Sequence, residues 1–175
     1  MNRSKENPII SEDIEFLISQ QLEWHNLTNK TILISGGAGF LASYLIKTLL
    51  RASENMNLGI KVICLVRDMD KLSRLSSLSE NENLLIVKHD VTQPLSESLE
   101  RSDYVIHAAS NASPRYYGID PVGTLLANTT GCQNMLDYSV RSKAEKFLFF
   151  SSSEVYGEPI EHNKFLTEED FGYLD

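Results

Sequence analysis

Apolar positions along the chain fall into two alternating patterns. Five short runs are apolar at nearly every position: TILIS from Thr31, IKVICLV from Ile60, NLLIVKHDV from Asn83, DYVIHAAS from Asp103 and EKFLFFSSS from Glu145. Such runs read as strands buried on both faces, which need no polar alternation. Between them lie stretches with helical spacing. FLASYLIKTLLRAS puts Leu41, Leu45, Ile46 and Leu49 on one face; DKLSRLSSL and the long GTLLANTTGCQNMLDYSVRS follow later. Strands alternating with helices predict a parallel sheet covered on both sides, and right-handed crossovers favour a doubly wound α/β architecture. Ahead of this rhythm, SEDIEFLISQQLEWH predicts an amphipathic helix over residues 11 to 25. Its N-cap is Ser11, Glu12 and Asp13 fill its first turn, and Ile14, Leu17, Ile18 and Leu22 form its apolar face. It is expected to pack over the domain or a partner subunit. The organisation is therefore an N-terminal extension (1–29), one main domain (30–157) and a polar, acidic tail (158–175).

The junction of the first strand and first helix reads SGGAGFLA, with Gly36-x-x-Gly39-x-x-Ala42 between them. In a βαβ unit this is the place of the dinucleotide fingerprint of a Rossmann fold. Gly36 allows the sharp exit from the strand, and Gly39 lets the backbone close on a pyrophosphate. Ala42 stands where a third small residue lets helix and strand pack closely. The N–H groups at the helix start, around Gly39, Phe40 and Leu41, then face the phosphates.

Composition narrows the class. A net charge of -8 argues against a nucleic-acid or anionic-membrane partner, since phosphate surfaces need a basic footprint. No apolar run approaches the roughly 20 residues of a membrane span, and the polar N-terminus lacks a signal-peptide core. Cys64 lies inside a strand and Cys132 far from it, so a buried inert thiol is expected in place of a disulfide or zinc ligand, in a reducing, cytoplasmic setting. No metal site is expected: His25, His89, His107 and His162 sit in unrelated segments, and His107, at the end of a buried strand, reads as packed or hydrogen-bonded.

The spacing of SGGAGFLA resembles the TGGAGFIG motif of extended short-chain dehydrogenases/reductases, the NAD-dependent epimerase/dehydratase family. Further motifs match in order. HDV resembles the adenine-reading pair, which implies that Asp90 accepts from the adenine amino group and Val91 offers its N–H. HAAS implies that Ala108, Ala109 and Ser110 lie along the nicotinamide ribose side. Asn128 matches the asparagine of the NTxGT pattern, and FFSSSEVYG resembles the fifth-strand motif whose catalytic hydroxyl falls on Ser152. HAASNASPRYYGIDPVGTLLANTTG is similar to a stretch of UDP-glucuronate decarboxylases, matching at Pro114, Tyr117, Pro121, Thr124 and Asn128. The resemblance spans residues 30 to 160. It implies NAD as cofactor, a UDP-sugar substrate in polysaccharide synthesis, hydride removal from sugar C4, and a homodimer through the long helix. The alternatives are a 4-epimerase or 4,6-dehydratase, or a non-catalytic dinucleotide-binding module.

In this family a tyrosine base, a neighbouring lysine and a Ser/Thr hydroxyl act together, the cation favouring tyrosinate. Ser152 supplies the hydroxyl, and Glu154 matches a proton-shuttling carboxylate of some members. Ser153 stands where one group of 4,6-dehydratases carries an aspartate, which counts against that group. The 175 residues contain no Tyr-x-x-x-Lys. The expectation is an N-terminal piece, truncated before the substrate domain and inactive alone. At the end of the second strand, where NAD-preferring members carry an aspartate, stands Arg67, followed by Asp68. An arginine there can receive a 2′-phosphate, which leaves NADP as the other cofactor.

Overall fold

The computed structural model describes residues 7–111, 114–158, 165–170 and 172. The expected tail, with His162, lies largely outside these. Five parallel strands form one sheet: β1 (Thr31–Ser35), β2 (Lys61–Val66), β3 (Leu84–Lys88), β4 (Tyr104–His107) and β5 (Lys146–Phe149), in the order β3-β2-β1-β4-β5. The chain winds outward in one direction from β1 to β3, then returns to pair β4 on the other flank of β1. This is the expected doubly wound Rossmann arrangement, with its switch point between β1 and β4.

Period-two alternation divides the strand residues between two faces. Ile32, Ile34, Val62, Cys64 and Val66 join Ala42, Ile46, Leu49 and Leu50 of α2 (Phe40–Met56) in one core. Leu33, Ile63, Leu65 and Val105 face the other way, onto Ala127 of α4 (Pro121–Asn128) and Met135 and Tyr138 of α5 (Thr130–Ser142). Each fully buried aliphatic contributes about 1.5–3 kcal/mol, so both faces hold the sheet against its helices. A short helix α3 (Pro114–Ile119) precedes α4.

Three expected elements differ. The first helix, α1, runs Pro8–Ser19 and not 11 to 25. Its N-cap is Asn7, whose side chain accepts from Ile9 N at 3.0 Å, and Pro8 opens it; Ser11 already lies inside, its N–H bonded to Asn7 O. A proline at the first helical position is preorganised for the start, which moves the cap back from the serine to Asn7. Gln20 turns extended and ends it, leaving Leu22 exposed, while Ile14 and Ile18 pack on Ala52 of α2. Residues Met69–Leu78 form a 3-10 helix and not an α-helix. Its serines bond locally, Ser76 Oγ donating to Ser73 O, a habit that competes with α-helical bonding. The long helix bends at Thr129, whose hydroxyl donates back to Leu125 O at 2.8 Å. No helix among the described residues is long and apolar enough to cross a membrane.

Candidate active site

At the carboxyl end of β1 the backbone must reverse, and Gly36 does so at φ +69. A Cβ there would lie 2.8 Å from Ala108 O and Ala109 Cα, so the β1 and β4 turns approach at a distance only glycine permits. Gly39 caps α2, and its N–H bonds Gly36 O at 2.8 Å. The first-turn N–H groups of Phe40, Leu41 and Ala42 have no carbonyl four residues behind them within the helix, and open at its positive end. Gly37, which pattern reading passes over, is the tightest of the three: a Cβ would stand 2.0 Å from Cys64 Sγ on β2.

The β4 turn is held by a buried relay that sequence reading also missed. Ser35 Oγ accepts the N–H groups of Ala108 (3.1 Å) and Ala109 (3.2 Å) and lies 2.7 Å from His107 Nδ1. His107 Nε2 is 3.1 Å from Ala127 O. A carbonyl can only accept, so Nε2 carries the proton, Nδ1 accepts, and Ser35 donates to it. Every polar group of the relay is then satisfied in neutral histidine, and burial holds the His107 pKa below its ordinary value. The expectation of a hydrogen-bonded, non-ligating His107 agrees with this geometry.

These turns border a crevice of about 280 Å³ lined by Gly36, Gly39, Arg67, Asp90, Val91, Ala108, Ala109 and Ser110, among others. Eight residues expected to touch a dinucleotide thus meet in one place. Asp90 Oδ1 accepts from Thr92 N (3.0 Å) and Thr92 Oγ1 (2.9 Å). The Thr92 N–H, with smaller help from its hydroxyl and the nearby Arg67, holds the Asp90 carboxyl below the usual carboxylate range. The crevice also contains Asp68, Lys71 and Arg74, which sequence reading did not single out as site residues. A signal was present: with Arg67, Lys71 and Arg74 fall at i+4 and i+7.

A second, larger crevice adjoins the first and shares Gly39, Ala108 and Ser110 with it. Phe40, Leu41, Tyr117, Thr124 and Asn128 line it, together with Phe149 to Ser152 after β5. Asn128 Nδ2 donates to Ser110 Oγ (3.1 Å) and Thr124 O (2.9 Å), tying the β4 turn to α4. Ser152 Oγ accepts from Glu154 N at 3.2 Å, capping a short 3-10 turn, and keeps its own proton to donate. Glu154 is exposed in that turn and lines neither crevice. Cys64 is buried and free, its thiol pushed up to about 12 by burial.

Comparison with known proteins agrees with this geometry. The profile of the NAD dependent epimerase/dehydratase family matches residues 32–173. UDP-glucuronic acid decarboxylase 5 of Arabidopsis thaliana is 37% identical over 135 residues, covering 77% of this chain and 37% of the relative. UDP-glucuronic acid decarboxylase 1 of Xenopus tropicalis is 36% identical over 149 residues, covering 83% and 32%. The epimerase Mth375 of Methanothermobacter thermautotrophicus superposes with a TM-score of 0.67 at 29% identity, covering 82% of this chain and 41% of that one. The chain belongs to the NAD dependent epimerase/dehydratase family, whose cofactor is NAD. It spans about a third of the length of the curated relatives it matches.

Proposed function

We propose that these residues form the cofactor half of a nucleotide-sugar enzyme of the UDP-glucuronate decarboxylase type. The observation that carries this is the junction of the two crevices: the dinucleotide crevice opens, at Ala108 and Ser110, directly into one that ends at Ser152. NAD, when bound, supplies a hydride acceptor. Gly36 and Gly39 make room for its pyrophosphate, and the α2 N-terminus lends partial positive charge there. Asp90 keeps one carboxylate oxygen, Oδ2, for an amino-group donor such as the adenine edge, because Oδ1 is taken by Thr92. Ser152, at the far end of the second crevice, donates a hydrogen bond to the sugar oxygen that changes from hydroxyl to ketone. Glu154 enters as a proton-moving carboxylate by resemblance alone. The 175 residues hold no Tyr-x-x-x-Lys to take the hydroxyl proton, so by themselves they bind cofactor without turnover. A UDP-sugar is the substrate class because the relatives that carry the resemblance are named for UDP-glucuronic acid.

Calorimetric titration with NAD tests the first half. Saturable binding that Gly36→Val abolishes is expected; no binding to the folded chain refutes it. The second half is tested by incubating the product of the full open reading frame with UDP-glucuronate and NAD, and following the sugar nucleotide by mass spectrometry. Loss of CO2 supports the decarboxylase reading, whereas epimerised or dehydrated product from a UDP- or dTDP-hexose would replace it.

A further inference from the structure

The N-terminal helix α1 stands apart from both crevices, yet it is tied to one of their walls. Phe40 and Leu41, the first two residues of α2, line the second crevice with side chains 61% and 62% exposed. In the proposed site Ser152 meets the sugar oxygen, so the hydride-accepting end of the cofactor belongs in this crevice, past Ala108 and Ser110. A flat ring received there buries apolar surface that is open in the free chain.

Phe40 is not held by α2 alone. Its ring packs on Tyr44, one helical turn on, with 5.2 Å between centroids and 59° between planes, a tilted aromatic pair. The other end of Tyr44 leaves α2: its hydroxyl donates to Asp13 Oδ2 on α1 at 3.2 Å. Asp13 is fixed in turn by its neighbours. Ile14, 1% exposed, packs with Ile18 on Ala52, and Glu15 pairs with Arg51 at 3.0 Å. Three consecutive residues of α1 thus hold α2 at Tyr44, Ala52 and Arg51. The apolar contact dominates, since exposed ion pairs contribute little. An exposed side chain at a helix start otherwise exchanges among its rotamers, and the path Asp13–Tyr44–Phe40 restricts that exchange.

Resting on the reading of the two crevices as a dinucleotide and sugar site, we infer that α1 is a positioning element of that site: through Asp13 and Tyr44 it holds the Phe40 ring as a wall for the nicotinamide end of the cofactor. Phe40 makes the contact, and Tyr44 acts through it. The helix ahead of the domain then does more than cover apolar surface, because it presets the wall before the cofactor arrives. Preset groups lose less side-chain freedom on binding, which favours affinity.

The test is calorimetric titration of the chain with NAD and with ADP-ribose, which shares every group of NAD except the nicotinamide. Tyr44→Ala should lower the ratio of NAD to ADP-ribose affinity by about two- to tenfold, the worth of one aromatic pair. Phe40→Ala, which keeps the backbone N–H at the helix start, should lower it at least as far, and Tyr44→Ala should add nothing in that background. Asp13→Ala and Tyr44→Phe break the same hydrogen bond and leave the ring, so each should lower the ratio less than Tyr44→Ala, and the pair no more than either alone. Circular dichroism confirms that each variant is folded; if Tyr44→Ala is not, Asp13→Ala and Tyr44→Phe decide. An unchanged ratio in these variants, an equal loss of both ligands, or additive effects of Phe40→Ala and Tyr44→Ala overturns the inference and leaves the dinucleotide site standing. Failure of folded wild-type protein to bind either ligand overturns the site and the inference together.

Discussion

Gly37→Ala isolates one contact in the cofactor loop. The new Cβ would lie 2.0 Å from Cys64 Sγ and 3.1 Å from Ile46 Cδ1. Ordinary non-bonded heavy-atom separations are about 3.5–4 Å, so loop and sulfur must part by roughly 1.5 Å. Neither has free space: Cys64 is fully buried on β2, and Gly37 N–H is bonded to Leu65 O at 3.2 Å. Gly37 is not among the positive-φ glycines, so backbone strain adds nothing and the effect is overpacking alone. Overpacking of this kind costs about 1–3 kcal/mol. Cys64→Ala removes the sulfur that the methyl strikes. By itself it should cost about 1 kcal/mol, as an average buried substitution does. In the double variant the methyl introduced on the loop occupies the space the sulfur vacated, and the pair should fall short of additivity by about 1–2 kcal/mol. Urea unfolding of the four proteins, fitted to a two-state transition, measures this. Gly37→Ala within about 0.5 kcal/mol of wild type by that assay, or additive substitutions, would refute the reasoning. Cofactor affinity supplies a second axis. The methyl added by Gly37→Ala points to β2, so the folded variant keeps its affinity. Gly36→Ala, which drives a methyl against the Ala108–Ala109 backbone and strains φ +69, loses it.

Other expectations concern the buried titratable groups and the exposed faces. The folded-state pKa of His107 is depressed, so the unfolded chain binds the extra proton first; stability is full above the unfolded value of about 6.5 and declines as pH falls through it. Urea midpoints taken from pH 7.5 to 5 should fall, and His107→Gln, less stable throughout, should flatten this slope; an unchanged slope would assign it elsewhere. Cys64, with its thiol pushed up to about 12, should resist iodoacetamide at pH 8 in the native protein and react in urea, read by mass spectrometry. Val122, Leu125, Leu136 and Val140 lie exposed along α4 and α5, the stretch through which the family resemblance implies a homodimer. Sedimentation should give a dimer that Leu125→Glu with Val140→Glu converts to monomer without loss of fold.

Whatever depends on local order can be read from the chain. The strand runs are apolar throughout because both faces are covered, and the glycine spacing is dictated by one turn, so sheet, topology class and the turn at Gly36 and Gly39 are visible in a one-dimensional pattern; Asp90, Val91 and Ala108 to Ser110 are legible only through the family resemblance, and Lys71 and Arg74 of the same crevice were not singled out. The boundaries that moved did so through competing local chemistry: Pro8 and Asn7 outcompete Ser11 for the helix start, and the serines after Asp68 tighten an expected α-helix into a 3-10 helix. Features invisible beforehand depend on pairs distant in sequence. Gly37 is required by Cys64, and Ser35 is required by His107, 72 residues on. Asp68 stands by position where a ribose reader would, yet its carboxylate is committed to its own helix start. That last case carries a general point about specificity. The identity of a residue at the end of the second strand says which groups are near the ribose. Only its hydrogen-bond commitments say which are still free to bind, and here those are most of the Arg74 donors and Oδ2 of Asp90.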